Sequence, residues 1–231
     1  MRIAIIGPPG AGKSTQAKRV ARSLPYPHFS PRFSSGELIR AEVEAGTDLG
    51  REMEGHYARG ERVPDEKILP LLLPRLRRSA GFVLDNFPAT VSQAVALDDE
   101  LEGHGVGSLS RVICLEGPSD AELVERILTG RRTSRATRDV YHLLSDPPPG
   151  PADRMDPGPF LRREDDTEEA TRAHLEAYRE EADALKAHYE EEGLLTIVDA
   201  RQPMAEVTGA ILEALGHPER PEFYASGKRS R

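Results

Sequence analysis

Residues 7–15 read Gly7-Pro8-Pro9-Gly10-Ala11-Gly12-Lys13-Ser14-Thr15. The spacing Gly-x-x-x-x-Gly-Lys-Ser is that of a P-loop, and its surroundings suit one. The apolar run Ile3–Ile6 before it predicts a strand, and a helix is predicted to begin at Lys13. Glycines at these places let main-chain N–H groups converge on phosphate oxygens with no Cβ in the way. The helix start adds the positive end of its dipole. Lys13 brings a point charge to the outer phosphates of a nucleotide. The Ser14 or Thr15 hydroxyl can reach a Mg²⁺ that neutralises them. A plain turn between strand and helix would need neither the Lys-Ser pair nor this spacing.

Working outward, four short apolar runs look like strands buried on both faces: Arg2–Ile6, Phe82–Asp85, Arg111–Glu116 and Leu195–Asp199. Between them the pattern predicts helices over Lys13–Ser23, Glu37–Ala45, Leu49–Gly60, Asp65–Arg78, Asp120–Leu128, Thr167–Glu192 and Met204–Leu215. Strands alternating with helices imply an α/β fold, a parallel sheet with helices on both faces. Two segments break the alternation: 35–64, with two successive helices, and 131–165, with Asp146-Pro147-Pro148-Pro149-Gly150-Pro151 at its centre. Both read as lobes inserted into one core domain. Residues 217–231 read as a flexible tail.

The composition narrows the function classes. A chain of 231 residues with net charge -8 is not built for general nucleic-acid binding, which needs a basic surface. One cysteine, Cys114, excludes an internal disulfide and a multi-cysteine zinc site. No apolar run approaches the ~20 residues that span a bilayer, and the start of the chain lacks a signal-type apolar stretch. The expectation is a cytoplasmic monomer acting on small anionic ligands, with no membrane and no nucleic acid as partner. Asp85 closes its strand next to the P-loop, where a carboxylate can orient Mg²⁺ through its waters.

Beyond the loop, several motifs resemble the adenylate kinases and related nucleoside monophosphate kinases. These are Pro8-Pro9-Gly10-Ala11-Gly12-Lys13-Ser14-Thr15-Gln16-Ala17, Phe33-Ser34-Ser35-Gly36-Glu37-Leu38-Ile39-Arg40, Val83–Thr90 with Gln93-Ala94, Gly130-Arg131-Arg132, Val140-Tyr141-His142 and Arg163-Glu164-Asp165-Asp166. The resemblance runs from Met1 to about Gly216. It implies a core (1–34, 65–130, 166–216), an acceptor-binding lobe (35–64) and a lid (131–165). It implies Mg²⁺–ATP as donor and a small phosphorylated acceptor, joined by direct in-line transfer that needs positioning and charge neutralisation rather than a protein nucleophile.

The resemblance also distributes roles. Lys13, Asp85, Arg131 and Arg163 would serve the transfer, with Ser14 and Asp85 on the metal. Gly10, Ala11, Gly12, Lys13, Ser14, Thr15, Arg126, Arg131, Val140, Tyr141 and Gln202 would hold ATP. Ser35, Gly36, Arg40, Val63, Asn86, Phe87, Gln93, Arg163 and His174 would line the acceptor site. Asp165 and Asp166 would tie the lid to its hinge. Arg126 lies on a helix with one extra residue before Gly130, which would rotate its side chain relative to the lid. The lid has no cysteines, so no structural zinc is expected.

Three departures fall on the acceptor side. Ala89 and His174 stand where the family grips the acceptor phosphate with arginine, and Asn86 stands where it has glycine. A charged hydrogen bond contributes roughly 1.5–3 kcal/mol. Losing two could therefore cost roughly two to four powers of ten in transition-state binding. Arg32, Arg62 and Arg172 are candidates for replacement charge. Gln93, the family's adenine reader, is retained, and Ser35 keeps the hydroxyl of the usual threonine. Three readings follow: transfer to AMP or a related monophosphate, a kinase of the same fold with a non-nucleotide phosphorylated or phosphonate acceptor, and a nucleotide binder with little catalysis.

Overall fold

A computed structural model of the chain describes residues 1–24, 32–58, 63–148 and 158–217. In chain order its elements begin β1 (Arg2–Ile6), α1 (Lys13–Ser23), β2 (Arg32–Ser34), α2 (Ser35–Ala45) and α3 (Asp48–Ala58). They continue α4 (Asp65–Leu76), β3 (Phe82–Asp85), α5 (Val91–Gly103), β4 (Arg111–Glu116) and α6 (Asp120–Glu125). A π-helical turn (Arg126–Gly130), β5 (Arg131–Ser134), β6 (Val140–His142) and β7 (Phe160–Leu161) follow, then α7 (Glu168–Glu191), β8 (Leu195–Asp199) and α8 (Met204–Ala214).

Five strands form one parallel sheet in the order β2-β3-β1-β4-β8. All four strands expected from the apolar runs are in it, with the expected bounds. β1 lies between β3 and β4, with Ile5 opposite Asp85 on one side and Ile113 on the other. Alternate residues of the same strand enter opposite cores. Ala4 and Ile6 pack with Leu72, Leu97, Leu101 and Tyr189, whereas Ile3 and Ile5 pack with Ala17, Val20, Leu123 and Ile211. The sheet is therefore covered on both faces, which is why its strands read as unbroken apolar runs. The chain turns to opposite sides of β1, so the loop after β1 sits at the switch point where such sheets bind ligands.

β2 and α5 were not anticipated from the sequence. β2 has only three residues and pairs with the edge of β3. α5 carries a readable signal, Thr90 as N-cap with its side chain accepting from the Gln93 N–H, followed by buried Leu97 and Leu101. The helix expected over Asp120–Leu128 ends as α-helix at Glu125 and continues as the π turn. One extra residue in a helix is accommodated in this way. The segment 131–165 supplies an antiparallel sheet in the order β6-β5-β7. Within the proposed lobes and tail, residues 59–62, 149–157 and 218–231 lie outside the described residues, as does Arg62. No helix among the described residues is long and apolar enough to cross a membrane.

Candidate active site

The first glycine turn is shaped by close approach. Gly7 has φ 139° and a Cβ there would stand 2.5 Å from the Leu115 carbonyl oxygen, so only glycine fits between β1 and β4. Gly12 takes the left-handed conformation, φ 93°, at the start of α1. Lys13 follows and is buried. Its ammonium donates to the carbonyls of Gly7 and Pro8, each at 2.7 Å. Burial lowers its pKa to about 8, with Asp85 pulling it back up and Arg131 pushing it down. The ammonium is thus held inside the loop, poised for a stronger anionic acceptor.

Asp85 is fully buried at the end of β3. One carboxylate oxygen takes the Arg32 guanidinium at 2.6 Å, and Arg32 also binds Glu37 on α2. The other oxygen, Oδ1, is buried with no hydrogen-bond partner. That orphaned oxygen, with the half-buried Ser14 hydroxyl in the first turn of α1, is a donor set suited to Mg²⁺, a hard cation that takes oxygen ligands and keeps several waters.

Opposite the loop, β2 and β3 deliver the wall expected to receive the acceptor. The Ser35 hydroxyl donates to the Asn86 carbonyl at 3.1 Å, joining α2 to the turn after β3. A Cβ on Gly36 would lie 3.3 Å from an Arg40 guanidinium nitrogen, so glycine leaves room for that side chain. Asn86 has φ 61°, and asparagine is among the few residues that accept this conformation in place of glycine. Its side chain is exposed. The Ala89 N–H donates to Gln93 Oε1 at 2.7 Å, which fixes the amide of Gln93 on the wall.

Between the two sides stand the arginines that follow the π turn. Arg131 pairs with Asp166, a buried carboxylate whose second oxygen takes the Arg163 N–H at 3.1 Å. Arg163 also donates through Nε to Thr133 at 2.9 Å. Arg126 reaches across to the Ala200 carbonyl at 3.2 Å, beside Gln202. Lys18 of α1 pairs with Asp139 at 2.6 Å and lies 5.0 Å from the centre of the Tyr141 ring, so β6 is drawn over the first helix. His174 on α7 has its pKa lowered by burial first; Asp165 opposes this, and Arg131 and Lys13 reinforce it. At neutral pH its imidazole is uncharged.

One cavity of about 670 Å³ joins these parts. Gly10, Ala11, Gly12, Lys13, Ser14 and Thr15 line one end. Arg126, Val140, Tyr141 and Gln202 lie along the same end. Ser35, Gly36, Arg40, Val63, Asn86, Phe87 and Gln93 line the other, with Arg131, Arg163 and His174 between. Asp85 is the expected site residue that does not reach the wall; it stands behind it with Arg32. Of the candidate replacement charges, the two among the described residues, Arg32 and Arg172, are engaged elsewhere. Arg32 is spent on Asp85 and Glu37, and Arg172 is an exposed partner of Glu168. The role of Arg32 escaped the sequence reading because β2 did; in the β2–β3 register Ser34 faces Asp85 and Arg32 faces Val83, two residues earlier on the same face, from where its long side chain reaches the Asp85 carboxylate.

Fold and cavity together define a P-loop phosphotransferase, with the glycine turn and Lys13 in one cavity with Arg40, Arg126, Arg131 and Arg163. The family model described as adenylate kinase matches residues 5–194. An adenylate kinase of Streptomyces coelicolor is 41% identical over 221 residues, covering 93% of this chain and 98% of that protein. One from Moorella thermoacetica is also 41% identical, covering 94% of this chain and 98% of its own. One from Gloeobacter violaceus is 38% identical over 223 residues. The chain belongs to the adenylate kinase family.

Proposed function

We propose that the chain transfers the γ-phosphoryl group of ATP to AMP, giving two molecules of ADP, with Mg²⁺ as cofactor. The observation that carries this reading is the single cavity with Lys13 at one end, Gln93 and Arg40 at the other, and Arg131 and Arg163 between. A passive binder has little need for cations aimed at the point of transfer. The relatives, each named adenylate kinase, do not favour the non-nucleotide acceptor either.

The loop amides and Lys13 hold the β- and γ-phosphates, and Lys13 exchanges two carbonyl contacts for phosphate oxygens. Ser14 and Asp85 would hold the metal. The metal, when bound, neutralises charge on the phosphates. Arg126, Val140, Tyr141 and Gln202 flank the adenine of ATP. Gln93 reads the adenine of AMP, and Arg40 grips its phosphate. Arg131 and Arg163 stabilise the phosphoryl group in flight and shield it from water. Residues 35–64 act as the acceptor lobe and 131–165 as the lid. The protein works as a cytoplasmic monomer.

With alanine at 89 and a neutral imidazole at 174, one arginine fork among the described residues, Arg40, is left at the acceptor end beside the shared Arg163. AMP should therefore bind more weakly than ATP. The test is ADP formation from Mg-ATP and a panel of acceptors: AMP, the other nucleoside monophosphates, and small phosphorylated or phosphonate metabolites. Turnover fastest with AMP supports the reading; silence with every nucleotide beside turnover elsewhere overturns it.

A further inference from the structure

Away from the cavity, α5 and the end of α7 bring three potential ligands together. Asp98, His188 and Glu192 each place one donor atom within 4.8 Å of the other two. His188 and Glu192 are one helical turn apart, and Asp98 faces them from the neighbouring helix. The ring nitrogen His188 Nε2 stands 3.4 Å from Glu192, yet it is buried and makes no hydrogen bond. Tyr189 is fully buried, and its hydroxyl too has no partner. The Tyr189 ring meets the His188 ring edge-on at 5.0 Å. The charges acting on the tyrosine hydroxyl are those of Asp98 and Glu192.

Two unpartnered buried polar atoms beside two carboxylates are costly to leave as they stand. The other groups acting on Asp98 are Glu192, His188, Glu102 and Asp99, three carboxylates and one imidazole, with no lysine or arginine. We propose that Asp98, His188 and Glu192 form a binding site for a divalent transition-metal ion that straps α5 to α7. One imidazole and two carboxylates suit Zn²⁺ and its neighbours better than Mg²⁺, which dehydrates reluctantly and prefers oxygen alone. With bonds of about 2.1 Å, tetrahedral ligands sit about 3.4 Å apart. Closing from 4.8 Å calls for movement of the ligand side chains, and Glu192, the exposed one of the three, is placed to move most. The Tyr189 hydroxyl then donates to a bound carboxylate, which orients that ligand as outer partners do in metal sites. Waters complete the coordination. None of the three ligands lines the catalytic cavity, so the ion is structural.

The test uses the whole protein stripped with chelator. Titrating Zn²⁺ calorimetrically should show one ion per chain. At a hundredfold excess over Kd the melting temperature should rise by about 5 °C or more. Co²⁺ in its place should give a visible d–d band with no thiolate charge transfer. D98N and H188Q should each weaken binding at least tenfold while leaving ADP formation unchanged. E192Q, at an exposed position, guards against loss of fold and should weaken binding likewise. No bound ion, or an affinity indifferent to all three substitutions, overturns the proposal.

Discussion

The Asp85 carboxylate, nearly all of it buried, gives one oxygen to the Arg32 guanidinium at 2.6 Å, while Arg32 extends its other arm to Glu37. Burial opposes the arginine's charge, but Asp85 and then Glu37 outweigh it, and the net pKa of Arg32 rises. The pair joins the edge strand β2, the end of β3 and the first turn of α2. Removing the cation strands a buried carboxylate, which typically costs about 3–5 kcal/mol. R32Q should therefore lower the melting temperature by about 6–15 °C. R32K should recover only part of this, since an ammonium cannot bridge both carboxylates with a planar fork. A thermal melt of R32Q matching that of the parent protein would sink the buried-pair account.

Lys13 makes the opposite prediction. Its ammonium is buried against two carbonyls, with a pKa lowered to about 8 by that burial. The proposed role of the position lies in binding ligand rather than in holding the fold. K13M should fold and melt at or above the parent temperature, because a buried cation is replaced by an apolar chain of similar length. Its rate of ADP formation should fall by about two to three powers of ten, the usual loss when one preorganised donor is removed. Steady-state kinetics beside a melting curve separates the two effects.

At the acceptor end, Ala89 is half-buried on the cavity wall and leaves space there. A89R should restore one charged contact to the acceptor phosphate and raise kcat/KM for AMP about ten- to a hundredfold. KM for ATP should stay within a factor of two or so, because the change lies at the other end of the cavity. No gain with AMP, in a variant that still folds, would mean that the wall is shaped for another acceptor.

His174 adds a pH dependence whose sign is fixed by its surroundings. Burial, Arg131 and Lys13 hold its pKa below the ordinary value of 6.5, and Asp165 only partly opposes them. The folded protein therefore binds a proton here less readily than the unfolded chain. Stability falls as the pH drops through the unfolded value of about 6.5, and is unaffected by this group at higher pH. H174Q should flatten that part of the stability profile. H174R should improve kcat/KM for AMP at pH 8, where the imidazole it replaces is neutral. No gain with AMP at pH 8, in a variant that still folds, would show that this position does not serve the acceptor phosphate.

The sheet, the cradle and the two-sided core were legible because their causes are local. Ile3–Ile6 before Gly7, and Lys13 after Gly12, state strand, turn and helix within about fifteen residues. The cavity's arginines were legible only through motif resemblance, since a lone arginine carries no signal of its own. What escaped is long-range. Arg32 and Asp85 are 53 positions apart, and nothing near either residue announces the other. α5 was missed although Thr90 and Gln93 mark its start, because Asp98, Asp99 and Glu100 dilute its apolar face. The His188–Asp98 meeting depends on how two helices cross, which no spacing within either helix encodes.

Arg138 and Glu44 carry the last prediction. They are 94 positions apart, on the turn before β6 and near the end of α2, and the guanidinium meets both carboxylate oxygens, one at 2.6 Å. Both side chains are about half exposed. Such a pair adds about 1 kcal/mol or less to stability, and salt weakens it. Its position matters more than its strength, since it is a direct link between the proposed lid and the proposed acceptor lobe. R138E sets like charges together across that gap and should disfavour the contact between the two segments. The melting temperature should move by no more than about 3 °C, while KM for both substrates rises severalfold. The swap R138E/E44R should return both KM values most of the way, and the difference between single and double variants should shrink at high salt. A double variant no better than either single one would show that the two residues meet without holding the lobes together.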